Sequence, residues 1–157
     1  MTEEEVSVAL FMAATADGDI EVLSWQSVDG KNYFAFDIKL RLPHDQRVEP
    51  DLILRSDALW LIEVKGLHSE AVTDEHKLTG LVAELGDDDV REQIYRRAGI
   101  LQGEPLDIHL AIAFSSDDLG GRGDSCVPDV HHIEWSQAAP NVEADGLAAY
   151  LRSLNPP

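Results

Sequence analysis

Two carboxylates and a lysine interrupt a part of the chain that is otherwise typical of buried β-structure. The segments 48–56 (VEPDLILRS) and 58–66 (ALWLIEVKG) predict two strands joined by a tight connection. An antiparallel pairing about that connection brings Asp51 close to Glu63. Because side chains alternate along a strand, Glu63 and Lys65 project from the same face. The sequence therefore predicts that three charged groups meet on one hairpin.

Such a meeting of charges requires compensation. Two carboxylates about 4 Å apart repel each other by roughly 4 kcal/mol at an effective dielectric constant near 20. A single lysine offsets part of that repulsion, and burial without partners adds a further cost. A divalent cation between the carboxylates resolves the conflict, and oxygen ligands without a nearby His or Cys cluster favour Mg²⁺ or Mn²⁺ over zinc. The alternative interpretation is a structural ion network inside the sheet.

The elements that must position this hairpin follow from apolar periodicity and turn residues. The strand over 58–66 is apolar on both faces apart from its two charged residues, which predicts a central strand covered on both sides. The order α-β-β-β-β-α-β-β-α predicts an α/β domain over residues 1–157, with a central mixed sheet flanked by helices. The predicted elements are a helix over 3–16, strands over 20–27, 31–42, 48–56 and 58–66, a helix over 88–102, strands over 106–115 and 130–135, and a helix over 144–154.

Pro50-Asp51 followed by Glu63-Val64-Lys65 on the next predicted strand resembles the signature of the PD-(D/E)XK nuclease superfamily. The resemblance covers roughly residues 3–115 and implies a restriction-endonuclease-like core. It is nearest to the nuclease-related and RecB-like branches.

This resemblance implies a role for each residue of the signature. Asp51 and Glu63 would bind Mg²⁺ or Mn²⁺, helped by the main-chain carbonyl of Val64. Lys65 would orient or deprotonate the attacking water and stabilise negative charge on the phosphate.

Two further residues are assigned by the same resemblance. The first helix of family members often adds an acid, for which Glu5 is the choice here. The branches named above place a glutamine on the helix after the hairpin, where this chain has Gln93. RecB-like nucleases carry a tyrosine four residues later, whereas this chain has Arg97. Glu5 also fits a helix-dipole acid, and Gln93 also fits a solvent-facing helix residue.

The positive charge of the chain is concentrated in its middle. All of the 12 Lys and Arg residues except Arg122 and Arg152 lie between residues 31 and 97. A nucleic-acid backbone would be contacted by cations within this window, and the alternative for the arginines after residue 90 is pairing with acids of their own helix. The candidates are Lys39, Arg41, Arg91, Arg96 and Arg97.

The overall composition has a different implication. The chain has 157 residues, 44% of them hydrophobic, and 30 Asp plus Glu against 12 Lys plus Arg give a net charge of −18. Such acidity fits a solvated acidic surface, a salt-rich cytoplasm or an acidic mimic of DNA. The single Cys126 excludes an internal disulfide and a multi-cysteine zinc site. No signal peptide or membrane-length apolar run is present, which predicts a cytoplasmic protein without a membrane partner.

Three histidines lie in predicted strands, and their spacing is not that of metal ligands. His131 and His132 are neighbours in a predicted strand and should face opposite sides, which disfavours a shared metal. His109 lies on an apolar strand and is interpreted as a core histidine.

These observations predict a Mg²⁺- or Mn²⁺-dependent nuclease that hydrolyses phosphodiester bonds of DNA in preference to RNA. The nearly all-round apolar character of the first helix is compatible with a homodimer or a larger nucleic-acid-processing complex. The alternative is a catalytically silent nuclease-like module, or an acidic DNA mimic that binds a nucleic-acid enzyme.

Overall fold

The computed structural model describes residues 2–25, 40–41, 47–48, 50–65, 85–100, 106–115 and 130–154. The elements in chain order are α1 (Glu3–Ala16), β1 (Glu21–Trp25), β2 (Leu40–Arg41), β3 (Arg47–Val48), β4 (Leu52–Arg55), β5 (Leu59–Val64), α2 (Asp88–Arg97), β6 (Ile108–Phe114), β7 (Val130–Glu134), α3 (Trp135–Asp145) and α4 (Leu147–Leu154).

A five-stranded mixed sheet with the order β1-β4-β5-β6-β7 forms the centre of the fold. β4 pairs antiparallel with both β1 and β5, whereas β5 pairs parallel with β6 and β6 parallel with β7. The chain is therefore an α/β protein whose mixed sheet is flanked by helices, as the periodicity predicts. β5 is the middle strand, which confirms the position expected from its two apolar faces.

Each face of the sheet carries its own hydrophobic core. On one face, Leu61 of β5 belongs to the same core as Ile94 of α2. On the other face, Ile62 shares a core with Leu10 of α1 and Leu147 of α4. Successive residues of β5 thus alternate between the α2 face and the face covered by α1, α3 and α4.

Helix α1 begins and ends where the sequence predicts. Thr2 caps it, because the Glu5 backbone N–H donates to Thr2 Oγ1 at 3.2 Å and the Thr2 N–H donates to Glu5 Oε1 at 3.3 Å. Trp25 Nε1 donates to Ser7 Oγ at 3.0 Å, and this bond joins the start of α1 to the end of β1. The capping contacts between Thr2 and Glu5 are local, which explains why the start of the helix could be read from the sequence.

The predicted strand over 48–56 is wrong as a single element. It divides into Val48, which ends β3 and pairs with β2 in a separate two-stranded sheet, and β4, which starts at Leu52. Pro50 lies in the interval, and its missing N–H cannot join a sheet ladder. The described part of the chain consequently contains one more strand than predicted. Most of the strand predicted over 31–42 lies outside the described residues.

The C-terminal prediction is also corrected. The segment after β7 forms two helices, α3 and α4, where a single helix over 144–154 is predicted. Trp135, expected in a strand, is the first residue of α3, and Pro140 lies inside that helix. Proline disfavours a helix in sequence-based prediction, but the apolar contacts of Trp135 and Ala138 with the core stabilise this one. No helix in the described ranges is long and apolar enough to cross a bilayer.

The turn between α3 and α4 depends on a glycine that lies beside the carboxylate of Asp17. Gly146 has φ 91°, and a Cβ built there would lie 2.8 Å from Asp17 Oδ2. That same oxygen accepts the backbone N–H of Ala148 at 2.9 Å. Donation from Ala148, and then from Asp19, lowers the pKa of Asp17 below its ordinary value of 3.8. The interaction therefore stabilises the fold above that pH and is lost on acidification below it.

We expect Gly146→Ala to lower the free energy of unfolding by more than about 1 kcal/mol, because the alanine adds left-handed strain and displaces Asp17. Gly18→Ala is the matched control, since no atom lies within 4 Å of its Cβ position. Urea denaturation of both variants measures the difference. Equal stability of the two variants would contradict the strain argument.

Candidate active site

Asp51 lies immediately before β4, at the end of the hairpin where β5 finishes. Leu52 pairs with Ile62, so one further step along the same antiparallel register sets Asp51 opposite Glu63. The Val64 backbone N–H donates to Asp51 Oδ2 at 2.9 Å. This hydrogen bond holds the Asp51 carboxylate against the last residues of β5.

The acids and the lysine occupy one face of the sheet. Ile53 and Leu61 pack into the α2-side core, and alternation along the strands places Asp51, Glu63 and Lys65 on that same face. All three are half-buried. The register of β4 and β5 thus puts these charged residues at neighbouring positions of the hairpin.

These residues lie at the end of the sheet where β5 finishes. β5 and β6 are parallel, and the Lys65 backbone N–H donates to the Ala113 carbonyl at 2.7 Å. The carboxyl ends of parallel strands therefore meet beside Lys65. Ligands of open α/β sheets bind in such positions, outside the carboxyl ends of the strands.

The N-terminal turn of α1 reaches the same end of the sheet. Ser7 is bonded to Trp25, and Trp25 pairs with Leu52, the neighbour of Asp51. Glu5, however, is exposed, and its Oε1 accepts the N–H of Thr2 at 3.3 Å and the Thr2 hydroxyl at 3.2 Å. α1 also packs on the opposite face from α2. The hydrogen bonds support the capping interpretation of Glu5, and its metal-binding role stays a prediction.

Gln93 lies on α2, the helix that covers the face with the acids and the lysine. Its neighbour Ile94 is fully buried, whereas Gln93 itself is exposed on the flank of the helix. Tyr95 on the next position donates its hydroxyl hydrogen to the Leu106 carbonyl and ties α2 to the segment before β6. The exposure of Gln93 favours the solvent-facing interpretation.

The described arginines of α2 are paired with acids of their own helix. Arg91 forms an ion pair with Asp88, and Arg96 forms one with Glu92 at 3.3 Å. This is the pairing that helical spacing predicts as the alternative to phosphate contact. All four side chains are substantially exposed, so each pair is worth at most about 1 kcal/mol and a polyanion can compete for the arginine.

The remaining nucleic-acid candidates are placed only in part. Arg97 is the last residue of α2 and Arg41 the last of β2, without a described side chain in either case. Lys39 lies outside the described residues.

A separate cavity lies at the opposite end of the sheet, and sequence reasoning missed it. It measures about 350 Å³ and is lined by residues of the β4–β5 turn together with His109 and Arg152. Burial lowers the pKa of His109 against the opposing charge of Asp107. His109 is only half-buried, which corrects its interpretation as a core histidine. The feature of the sequence that indicates this partial exposure is the position of His109 near the start of its strand, whereas its apolar neighbours suggest burial.

The neighbouring histidines of β7 face opposite sides, as predicted. The ring of His131 lies 5.3 Å from Trp60 and 5.7 Å from His109, whereas the ring of His132 lies 5.8 Å from Phe114 on the other face. The two histidines therefore have different surroundings and share no ligand position.

The donor set of the candidate site suits a hard cation. Across the described part of the chain, no group of three or more His, Cys, Asp or Glu side chains is arranged to hold a metal ion. Asp51 and Glu63 supply two carboxylates at neighbouring register positions. Mg²⁺ is commonly bound by one or two carboxylates, with water and substrate phosphates completing its shell, so this pair fits the ion.

Comparison with known proteins adds no relative: no family model, no curated protein and no solved structure matches the chain.

Proposed function

We infer that the protein is a metal-dependent phosphodiesterase that cleaves DNA, with RNA as the second candidate substrate. The observation that carries this proposal is the hydrogen bond from the Val64 N–H to Asp51 Oδ2. It holds one carboxylate beside Glu63 and Lys65 at the carboxyl edge of the parallel strands.

The order of the elements supports a restriction-endonuclease-like core. A helix precedes antiparallel strands that carry the acids, and α2 lies between β5 and the parallel strand β6 in chain order. This is the arrangement that the PD…EXK resemblance implies around its signature.

The acids have the capacity to hold Mg²⁺ or Mn²⁺. A carboxylate offers about four lone-pair sites, so the hydrogen bond from Val64 leaves Asp51 able to coordinate a cation. Glu63 would supply a second oxygen and the Val64 carbonyl a third. The bound cation would lower the pKa of a coordinated water and stabilise the leaving oxygen.

Lys65 would act on the substrate side of the site. The nearby carboxylates of Asp51 and Glu63 attract its positive charge. An ammonium at this place would orient the attacking water and stabilise the negative charge that develops on the phosphate.

A second candidate is a catalytically silent module or an acidic DNA mimic that binds a nucleic-acid enzyme. The net charge of −18 favours it, as do the ion pairs that engage Arg91 and Arg96 within their own helix. A mimic has no use for a cation between Asp51 and Glu63, and metal binding therefore separates the two functions.

Calorimetric titration with Mn²⁺ at about 0.15 M salt, which screens unspecific attraction, tests the proposal. We expect one site in the unaltered protein and at least about tenfold weaker binding, or none, in Asp51→Asn. The asparagine keeps an oxygen for the Val64 N–H, so the variant should retain its fold.

Asp107→Asn is the matched control, because Asp107 is exposed at the opposite end of the sheet. Its titration curve should equal that of the unaltered protein. Absence of a Mn²⁺ site in the unaltered protein, or an equal loss in both variants, would overturn the metal-dependent proposal in favour of the silent module.

A further inference from the structure

A groove separates α1 from α3 on the face of the sheet away from Lys65. Its volume is about 610 Å³, and its lining includes Asp17, Gly146 and Leu147. The walls are formed by short apolar side chains. They are Ala9, Ala13 and Ala16 on α1, and Ala139 and Val142 on α3.

The shape of this groove suits a helix. Alanine walls leave room between two helices, and the side-chain ridge of a third helix packs into such a depression. Trp135, which is 8% exposed, and the buried Leu147 also line it. A helix laid into the groove would therefore contact apolar surface along its length.

An apolar ridge on α1 borders the groove. Met12 is 63% exposed and Val8 is 37% exposed, one helical turn apart. Methionine adapts its shape to an incoming surface, and exposed apolar side chains next to a groove are typical of protein contact sites. The ridge extends the apolar surface beyond the groove itself.

The negative charge of the groove favours one kind of binding partner. Asp17, Glu143 and Asp145 line the groove, and no Lys, Arg or His is among the described residues of its lining. Glu143 and Asp145 are exposed. An occupant with cations beside its apolar stripe is favoured by this rim, whereas a second copy of the chain would bring another net charge of −18.

We propose that the groove between α1 and α3 binds a basic amphipathic helix of a partner protein. The groove lies on the opposite face of the sheet from Lys65 and α2, so the partner and a nucleic-acid substrate can be bound together. The inference does not depend on the proposed nuclease activity.

Fluorescence anisotropy with a labelled synthetic helix of leucine and lysine, similar in length to α1, tests this proposal. A peptide of equal composition, reordered so that it has no apolar face, is the reference for unspecific charge attraction. We expect the amphipathic peptide to bind at least about tenfold more tightly than the reordered one. A leucine–glutamate helix should not bind.

Two pairs of variants locate the contact. Ala13→Phe fills the groove and should weaken binding by about tenfold or more, whereas Ala144→Phe, exposed on α3 and outside the groove, should leave binding unchanged. Ala16→Phe repeats the test at an exposed groove position if Ala13→Phe fails to fold.

The charge contribution is tested by removing two acids at each of two places. Glu143→Gln with Asp145→Asn should weaken peptide binding more than Glu21→Gln with Asp89→Asn, because the second pair lies away from the groove. Any of three outcomes would overturn the proposal. The two double variants could have equal effects, the phenylalanine variants at positions 13 and 144 could have equal effects, or both peptides could bind equally tightly. Sedimentation that shows a dimer disrupted by Ala13→Phe would overturn it in favour of a second copy.

Discussion

Lys65→Ala is expected to lower the Mg²⁺- or Mn²⁺-dependent cleavage of DNA by about a hundredfold or more, the usual loss when one charged or hydrogen-bonding group is removed from developing oxyanion charge. The ammonium of Lys65 follows directly after β5, and its backbone is bonded to Ala113 of β6. Alanine keeps that backbone bond and removes only the side chain. Cleavage of plasmid and single-stranded DNA over time measures the rate.

Arg152→Ala is the control for this experiment. It removes one positive charge at the opposite end of the sheet, where Arg152 forms an ion pair with Asp57 at 2.5 Å. The control should cleave DNA at the unaltered rate, and Lys65→Ala should still bind Mn²⁺. Equal cleavage by the unaltered protein and by Lys65→Ala would point to a contaminating nuclease and remove the assignment of Lys65.

Leu61→Ala is expected to reduce the free energy of unfolding by about 2–5 kcal/mol, the usual cost of a large cavity in a packed core. Leu61 is 1% exposed in the central strand, within the core that α2 completes. It is also the residue before Glu63 on the same face. Urea denaturation followed by circular dichroism measures the loss.

Val8→Ala is the matched control, since Val8 is 37% exposed and its loss should change stability by no more than about 0.5 kcal/mol. An effect of Leu61→Ala as small as that of Val8→Ala would contradict the packing described for β5. Small domains have unfolding free energies of about 5–15 kcal/mol. The loss at Leu61 is therefore large enough to loosen the strand that carries Glu63 and Lys65.

The features that sequence reasoning predicted correctly are those encoded by near neighbours. The start of α1 follows from Thr2 and Glu5, which are three residues apart and cap each other. The central position of β5 follows from its apolar side chains on both faces. The common face of Glu63 and Lys65 follows from strand alternation alone.

The errors fall where distant parts of the chain decide the local structure. The segment 48–56 looks continuous, yet Val48 pairs with β2 and Leu52 with β1 and β5. α3 contains Pro140, which disfavours a helix locally, and Trp135 and Ala138 stabilise it through the core. Neither the break between β3 and β4 nor the helix α3 can be predicted from the residues adjacent to it in the chain.

The amino-acid sequence alone determined which groups are available at the candidate site: two acids and a lysine, with the faces on which they project. Only the tertiary structure decided that Asp51 accepts the Val64 N–H and that a groove opens between α1 and α3. The physical reason is that periodicity and capping act over a few residues. Strand register and helix packing, in contrast, join residues that are far apart in the chain.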